Sequence, residues 1–203
     1  MPARSATSTL PPGPDAGRLR LGQRLREHRK AQGMTLKQLS SRSGVALSTL
    51  SKMELGQTSV GYEKVAATAR ALSLHVGQLF DASAAPRPQA ARPSVVWSRA
   101  EDAPTYHSEH YDYRMLATGF PDKRMTPLHG RIVARERSQF DDFVRHPGQE
   151  FVLLLSGRAR IEFETGEVIE LARHESAYFD SGVGHIYLSL SRADAQMLVV
   201  MSD

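Results

Sequence analysis

The segment from Gly44 to Gly56, Gly-Val-Ala-Leu-Ser-Thr-Leu-Ser-Lys-Met-Glu-Leu-Gly, constrains this chain more than any other stretch. Between its bracketing glycines, Leu47, Leu50 and Met53 with Glu54 recur at three- and four-residue spacing. That spacing predicts a short helix, Ala46–Leu55, with one stripe turned to a core. The other stripe carries Ser48, Ser51 and Lys52, with Thr49 beside it. Short hydroxyls and a single cation suit contact with phosphates and base edges. Just upstream, Thr35-Leu-Lys-Gln38 has the form of a capping box and opens a second short helix, Leu36 to Arg42.

Two short helices about a turn at Gly44 make a helix-turn-helix. The residues that carry this reading are Arg29, Gly33, Thr35, Leu39, Gly44, Val45, the run Ser48 to Lys52, Glu54, Gly56, and Ala69 with Leu72. Over Leu21 to Phe80 they resemble the lambda-repressor/Xre type of DNA-binding domain. The resemblance implies a major-groove interface made by Lys37, Gln38, Ala46, Leu47, Ser48, Thr49, Ser51 and Lys52. Ser48, Thr49 and Lys52 stand at its centre, and Lys37 and Gln38 fix the register on the backbone. It also implies that Arg29 and Glu54 pair across the domain as a structural tie. The chain departs from the family pattern at Leu36, where a polar residue is usual, and at Ala46, where the family has a serine cap.

Charge is split in the same sense. Residues 1–81 hold 12 basic and 5 acidic side chains, a net of +7, whereas 82–203 hold 14 and 17, a net of −3. The first part can neutralise phosphates, and the second is suited to another task. With no cysteine, disulfides, thiolate nucleophiles and sulfur-ligated metals are excluded. The sequence shows no run of eighteen apolar residues and no signal-peptide pattern, so a cytoplasmic protein without membrane contact is expected.

The domain plan expected is a disordered arm at 1–17, rich in Pro, Ser and Thr, then an all-α domain of five helices at 18–81. Its first helix is expected from Arg18 to Gln32, with a basic outer face of Arg20, Arg24, Arg26 and Lys30. A proline-bearing linker at 82–94 follows, then an all-β domain at 95–203. There the hydrophobic period becomes two: Arg158 to Glu164 alternates, with Ala159, Ile161 and Phe163 inward. Further short apolar runs at Phe151–Leu155, Glu167–Leu171, Ala177–Phe179, Ile186–Leu190 and Met197–Met201 predict an antiparallel sandwich or barrel.

Within the β region, His146-Pro-Gly-Gln-Glu150 with Gly157, and then Ser176 to His185, resemble the two motifs of the cupin family of jelly-roll barrels. Val144 occupies the family's first histidine position, Gly184 its proline, and His174-Glu175 its Gly-Asp entry. The resemblance implies that His146, Glu150 and His185 meet as a two-histidine, one-carboxylate face. Such a set leaves open positions and suits a divalent metal: Fe, Mn, Ni or Zn. The alternative is a metal-free pocket whose remaining polar residues bind an organic ligand. Tyr106, Arg114 and Tyr178 are candidates for the effector pocket, Tyr111 and Tyr113 are further candidates at the barrel mouth or else ordinary strand residues, and His107, His110 and His129 are weaker candidates as ligands.

Beside a purely structural DNA-binding dimer whose barrel serves only to dimerise, two functions remain open at this point. One is a sequence-specific transcriptional regulator, not an enzyme, whose cupin barrel makes a homodimer on an inverted-repeat operator of double-stranded DNA and senses a small molecule or metal. The other is a mononuclear non-haem iron enzyme resembling hydroxypropylphosphonate epoxidase.

Overall fold

The computed structural model describes residues 14–80, 93–121 and 123–202. Its first part is helical: α1 (Pro14–Ala31), α2 (Leu36–Ser43), α3 (Leu47–Glu54), α4 (Tyr62–Ala71) and α5 (Val76–Phe80). Helix α1 starts at Pro14, earlier than the expected Arg18, because proline's fixed φ suits the opening turn of a helix. The rest of the expected arm, and residues 82–92 of the expected linker, lie outside the described residues. Helix α2 is closed at its start by the capping box: Gln38 N donates to Thr35 Oγ1 at 3.2 Å, and Thr35 N donates to Gln38 Oε1 at 2.8 Å. It ends at Gly44 with φ 72°, a left-handed turn that a side chain would strain. Arg29 and Glu54 pair as expected. Arg29 Nη2 donates to Glu54 Oε2 at 2.8 Å and Nε donates to Oε1 at 2.5 Å, with both residues buried.

One stripe assignment needs correction. Leu50, Met53 and Glu54 are buried, but Leu47 is 48% exposed. Val45, just ahead of the helix, is buried and stands at staple spacing from Leu50, so it takes the place at the core's edge that periodicity gave to Leu47.

The described residues of the second part form nine strands: β1 (Thr105–His107), β2 (Tyr111–Met115), β3 (Met125–Ile132), β4 (Gln149–Ser156), β5 (Ala159–Phe163), β6 (Val168–Leu171), β7 (Ser176–Asp180), β8 (His185–Ser189) and β9 (Ala195–Ser202). They form a six-stranded sheet in the order β1-β2-β3-β9-β4-β7 and a three-stranded sheet in the order β6-β5-β8. All pairings are antiparallel. Ala159, Ile161 and Phe163 of β5 point inward, as their alternation requires. Strands β1 to β3 were not among the expected runs.

The two parts are packed together, and their buried apolar residues form one continuous cluster. Tyr62 of α4 meets Tyr113 of β2 edge-on at 5.8 Å, and Phe80 meets Tyr106 in the same way at 5.8 Å. The Tyr106 hydroxyl accepts from Val60 N at 3.1 Å and donates to the Val60 carbonyl, while Ser59 Oγ donates to the His107 carbonyl at 2.5 Å. Tyr106→Phe strips both main-chain groups of Val60 of this buried partner, so a loss of about 1–3 kcal/mol is expected in urea denaturation. A loss under about 0.5 kcal/mol would mean that water replaces the hydroxyl there. No helix among the described residues is long and apolar enough to cross a membrane.

Candidate functional site

Two surfaces concentrate the chemistry. The first is the outer side of α2 and α3. Lys37, Gln38, Ala46, Leu47, Ser48 and Lys52 are exposed there, and Thr49 and Ser51 are half-buried. Gln38 is engaged in the capping box through its Oε1, which leaves its amide nitrogen to face outward. Among the described residues neither Lys37 nor Lys52 has an ion-pair partner, so both offer an uncompensated charge. Ala46 makes no side-chain cap, and the first amides of α3 are therefore open to an anion. On α1, by contrast, Arg24 is turned to structure, with Nη1 on the Gln78 carbonyl at 3.4 Å.

The second surface is a cavity inside the barrel. Glu150 comes from the start of β4, where strand alternation turns it inward, and His185 opens β8. His146 sits in the loop ahead of β4, fixed by its amide on the Ser181 carbonyl at 3.0 Å. One ligand atom from each of the three lies within 4.8 Å of the others, and all three residues are buried. His146 Nε2 is 2.9 Å and His185 Nε2 3.5 Å from the same atom, Glu150 Oε2. Each Nδ1 faces a main-chain carbonyl: Val183 at 2.9 Å for His185, and Pro147 at 3.3 Å for His146. Around a cation, each histidine would keep its proton at Nδ1 and turn its Nε2 lone pair to one point beside the carboxylate, an arrangement that fits a divalent ion.

The Tyr187 hydroxyl donates to Glu150 Oε1, and Tyr111 Oη accepts from Tyr187 N at 2.9 Å, so the carboxylate is oriented through two buried rings. Burial alone raises the Glu150 pKa, but hydrogen bonds and charge from His146 and His185 outweigh it and bring the carboxyl down to about 2. Burial pushes the Tyr187 hydroxyl well above its usual range, so that it remains a donor. Val144 bridges His185 through the main chain, with Val144 N on the His185 carbonyl at 3.1 Å and His185 N on the Val144 carbonyl at 2.9 Å. Its side chain lines the cavity without offering a ligand atom.

The cavity has a volume of about 20 Å³ and is walled by Tyr111, Tyr113 and Tyr187 together with the three polar residues. Tyr62 and Glu63 of α4 and Met201 of β9 also line it, and none of these was expected there. The anticipated effector residues Tyr106, Arg114 and Tyr178 are not brought together. Tyr106 is spent on the junction, Arg114 Nη1 binds the Ala100 carbonyl at 3.2 Å, and Tyr178 is 65% exposed, with its hydroxyl on Gln149. In β7, Tyr178 stands on the outer face, since Phe179 is the residue packed against His185 at 4.8 Å between ring centroids. The other histidines also stand apart from the cluster. His107 contacts Asp112 at 2.7 Å, His110 stacks on Phe140, and burial lowers the pKa of His129 on the outer part of β3.

A model of a helix-turn-helix domain matches residues 20–82, and a model of a cupin domain matches residues 137–201. No curated protein sequence matches the chain. Among solved structures, an HTH_3 family transcriptional regulator from Vibrio cholerae aligns with TM-score 0.62 at 17% identity, covering 93% of this chain and 98% of that one. The iron(II) form of HppE aligns with TM-score 0.48 at 18% identity over 91% and 99% of the two chains. Hydroxypropylphosphonic acid epoxidase from S. wedmorenis aligns with TM-score 0.47 at 18% identity, over 91% and 97%. The first of these likenesses extends over both parts of the fold and their order along the chain. This chain joins a helix-turn-helix domain of the lambda-repressor/Xre type to a cupin domain.

Proposed function

We propose that the protein is a DNA-binding transcriptional regulator whose cupin cavity holds a divalent cation. The observation that carries this reading is the outer side of α2 and α3, where Lys37 and Lys52 stand exposed and uncompensated beside Ser48 and the uncapped start of α3. Docked in a major groove, α3 presents Ser48, Thr49 and Lys52 to base edges and phosphates, while Lys37 and Gln38 rest on the backbone. The barrel serves as sensor and dimerises, so the operator is an inverted repeat. Exposed Val168 and Ile169 on the edge strand β6 support a contact between copies there.

A cation suits the cavity better than an organic effector, because about 20 Å³ accommodates a single water-sized particle. The test is to select a duplex from a random pool with the protein, then measure binding by fluorescence anisotropy at several salt concentrations. Lys52→Ala is expected to weaken binding about tenfold and to lower the salt slope by about 1. If affinity and slope are both unchanged, α3 is not the reading helix.

A further inference from the structure

The first turn of α4 carries a carboxylate that faces two chambers. Glu63 lines the cation cavity with His146, Glu150 and His185. It also lines a groove of about 270 Å³ beside the helix-turn-helix turn. Ala46 and Thr49 wall that groove on one side, with Lys64, Arg70 and Arg145 on the other. Arg145 precedes the ligand His146 in the chain and is paired with Asp142 at 3.1 Å and with Glu164 at 2.5 Å. The Glu63 side chain is 20% exposed, and its ionic neighbour Lys64 is 3.9 Å away. Its carboxylate lies over Gly61, where a Cβ would come within 2.0 Å of an oxygen, so the glycine leaves room for the side chain. Adjacent Tyr62 is pinned edge-on to Tyr113, which holds this turn of the helical domain against the barrel's mouth.

We propose that Glu63 is the residue through which a cation bound at His146, Glu150 and His185 acts on the DNA-binding face. The proposal rests on the cation reading of those three residues. A divalent charge in the cavity attracts the one carboxylate that the described residues of the helical domain present to it, and the Glu63 side chain turns toward the barrel. The groove beside Ala46 and Thr49 then keeps Lys64 and Arg70 and loses its negative charge, which favours an approaching phosphate. Cation binding therefore tightens DNA binding, and DNA tightens cation binding by the same factor.

The test uses the full chain, Mn(II) titrated by calorimetry, and anisotropy on the selected duplex with and without Mn(II). Wild type is expected to bind DNA about tenfold more tightly with Mn(II). Glu63→Gln removes the charge but keeps the shape. Its metal-free affinity for DNA is expected to approach that of the loaded wild type, and its response to fall below about twofold. Glu63→Asp retains the charge and is expected to retain a response, which separates loss of charge from loss of fold. Mn(II) uptake by wild type with no gain in DNA affinity, or a full response in Glu63→Gln, overturns the role of Glu63 and leaves the cation site standing. No Mn(II) uptake by wild type, or uptake that survives Glu150→Ala, overturns the cation site and the proposal with it.

Discussion

Glu54→Ala is expected to destabilise the protein by about 3–5 kcal/mol. Glu54 accepts two hydrogen bonds from Arg29, from Nη2 at 2.8 Å and from Nε at 2.5 Å, while Arg29 Nη1 donates to the Met34 carbonyl at 2.7 Å. One guanidinium thus ties α1 to α3 and to the loop that leads into α2. Arg29 is 9% and Glu54 8% exposed, so truncating the acid leaves a cation with little water to solvate it. The desolvation of Arg29 is incurred on folding either way, and the variant loses the attraction that offsets it. Arg29→Met should cost a similar amount for the mirror-image reason. Replacing both, as Arg29→Met with Glu54→Leu, should restore stability to near wild type, because neither charge is then buried. Urea titration followed by far-UV circular dichroism measures all three. If the single changes cost under about 1 kcal/mol, the pair is no stronger than one in open water.

How far this fold was legible follows from the range over which each residue's environment is set. The capping box at Thr35, the glycine turn and the 3.6-residue stripe act within a few residues, and α2 and α3 lie where those signals put them, with ends within a residue. Arg29 and Glu54 were named as a pair through the resemblance alone, since nothing local links positions so far apart. In the barrel, β5 was legible from its alternation. Strand β3 was not, because Pro127 and Gly130 read as turn signals, although both sit in a strand paired on both edges.

The cation cluster was named through the resemblance to cupins, and the structure brings all three residues within reach of one ion. The remaining walls needed contacts between distant segments. Tyr111 and Tyr113 line the cavity while Tyr106 does not, a choice made by strand register and by the Val60 main chain. Glu63 gave no signal at all, since an acidic residue in a first turn is ordinary helix electrostatics. Its second role exists only because α4 covers the barrel's mouth.

The same geometry sets the largest effect expected in the barrel, which is the loss of cation binding in Glu150→Ala. Glu150 is 1% exposed and supplies the carboxylate of the cluster, so its removal leaves two imidazoles to hold a dication. The loss should exceed the about 10–100-fold typical of residues that orient a ligand from behind. Tyr187→Phe should fall within that range, because the hydroxyl only directs Glu150 Oε1 and leaves the lone pair on Oε2 in place.

Thermal shift reads both changes. A cation at 100 times its dissociation constant, bound only by the native state, raises stability by about 2.7 kcal/mol. Wild type should show that rise with Mn(II) and lose it on adding a chelator, Tyr187→Phe should show a smaller rise, and Glu150→Ala none. An equal rise in wild type and Glu150→Ala would place the cation elsewhere. His146, Glu150 and His185 would then be an internal hydrogen-bonded cluster, in which Glu150 stays ionised because two imidazoles face it across less than 4 Å.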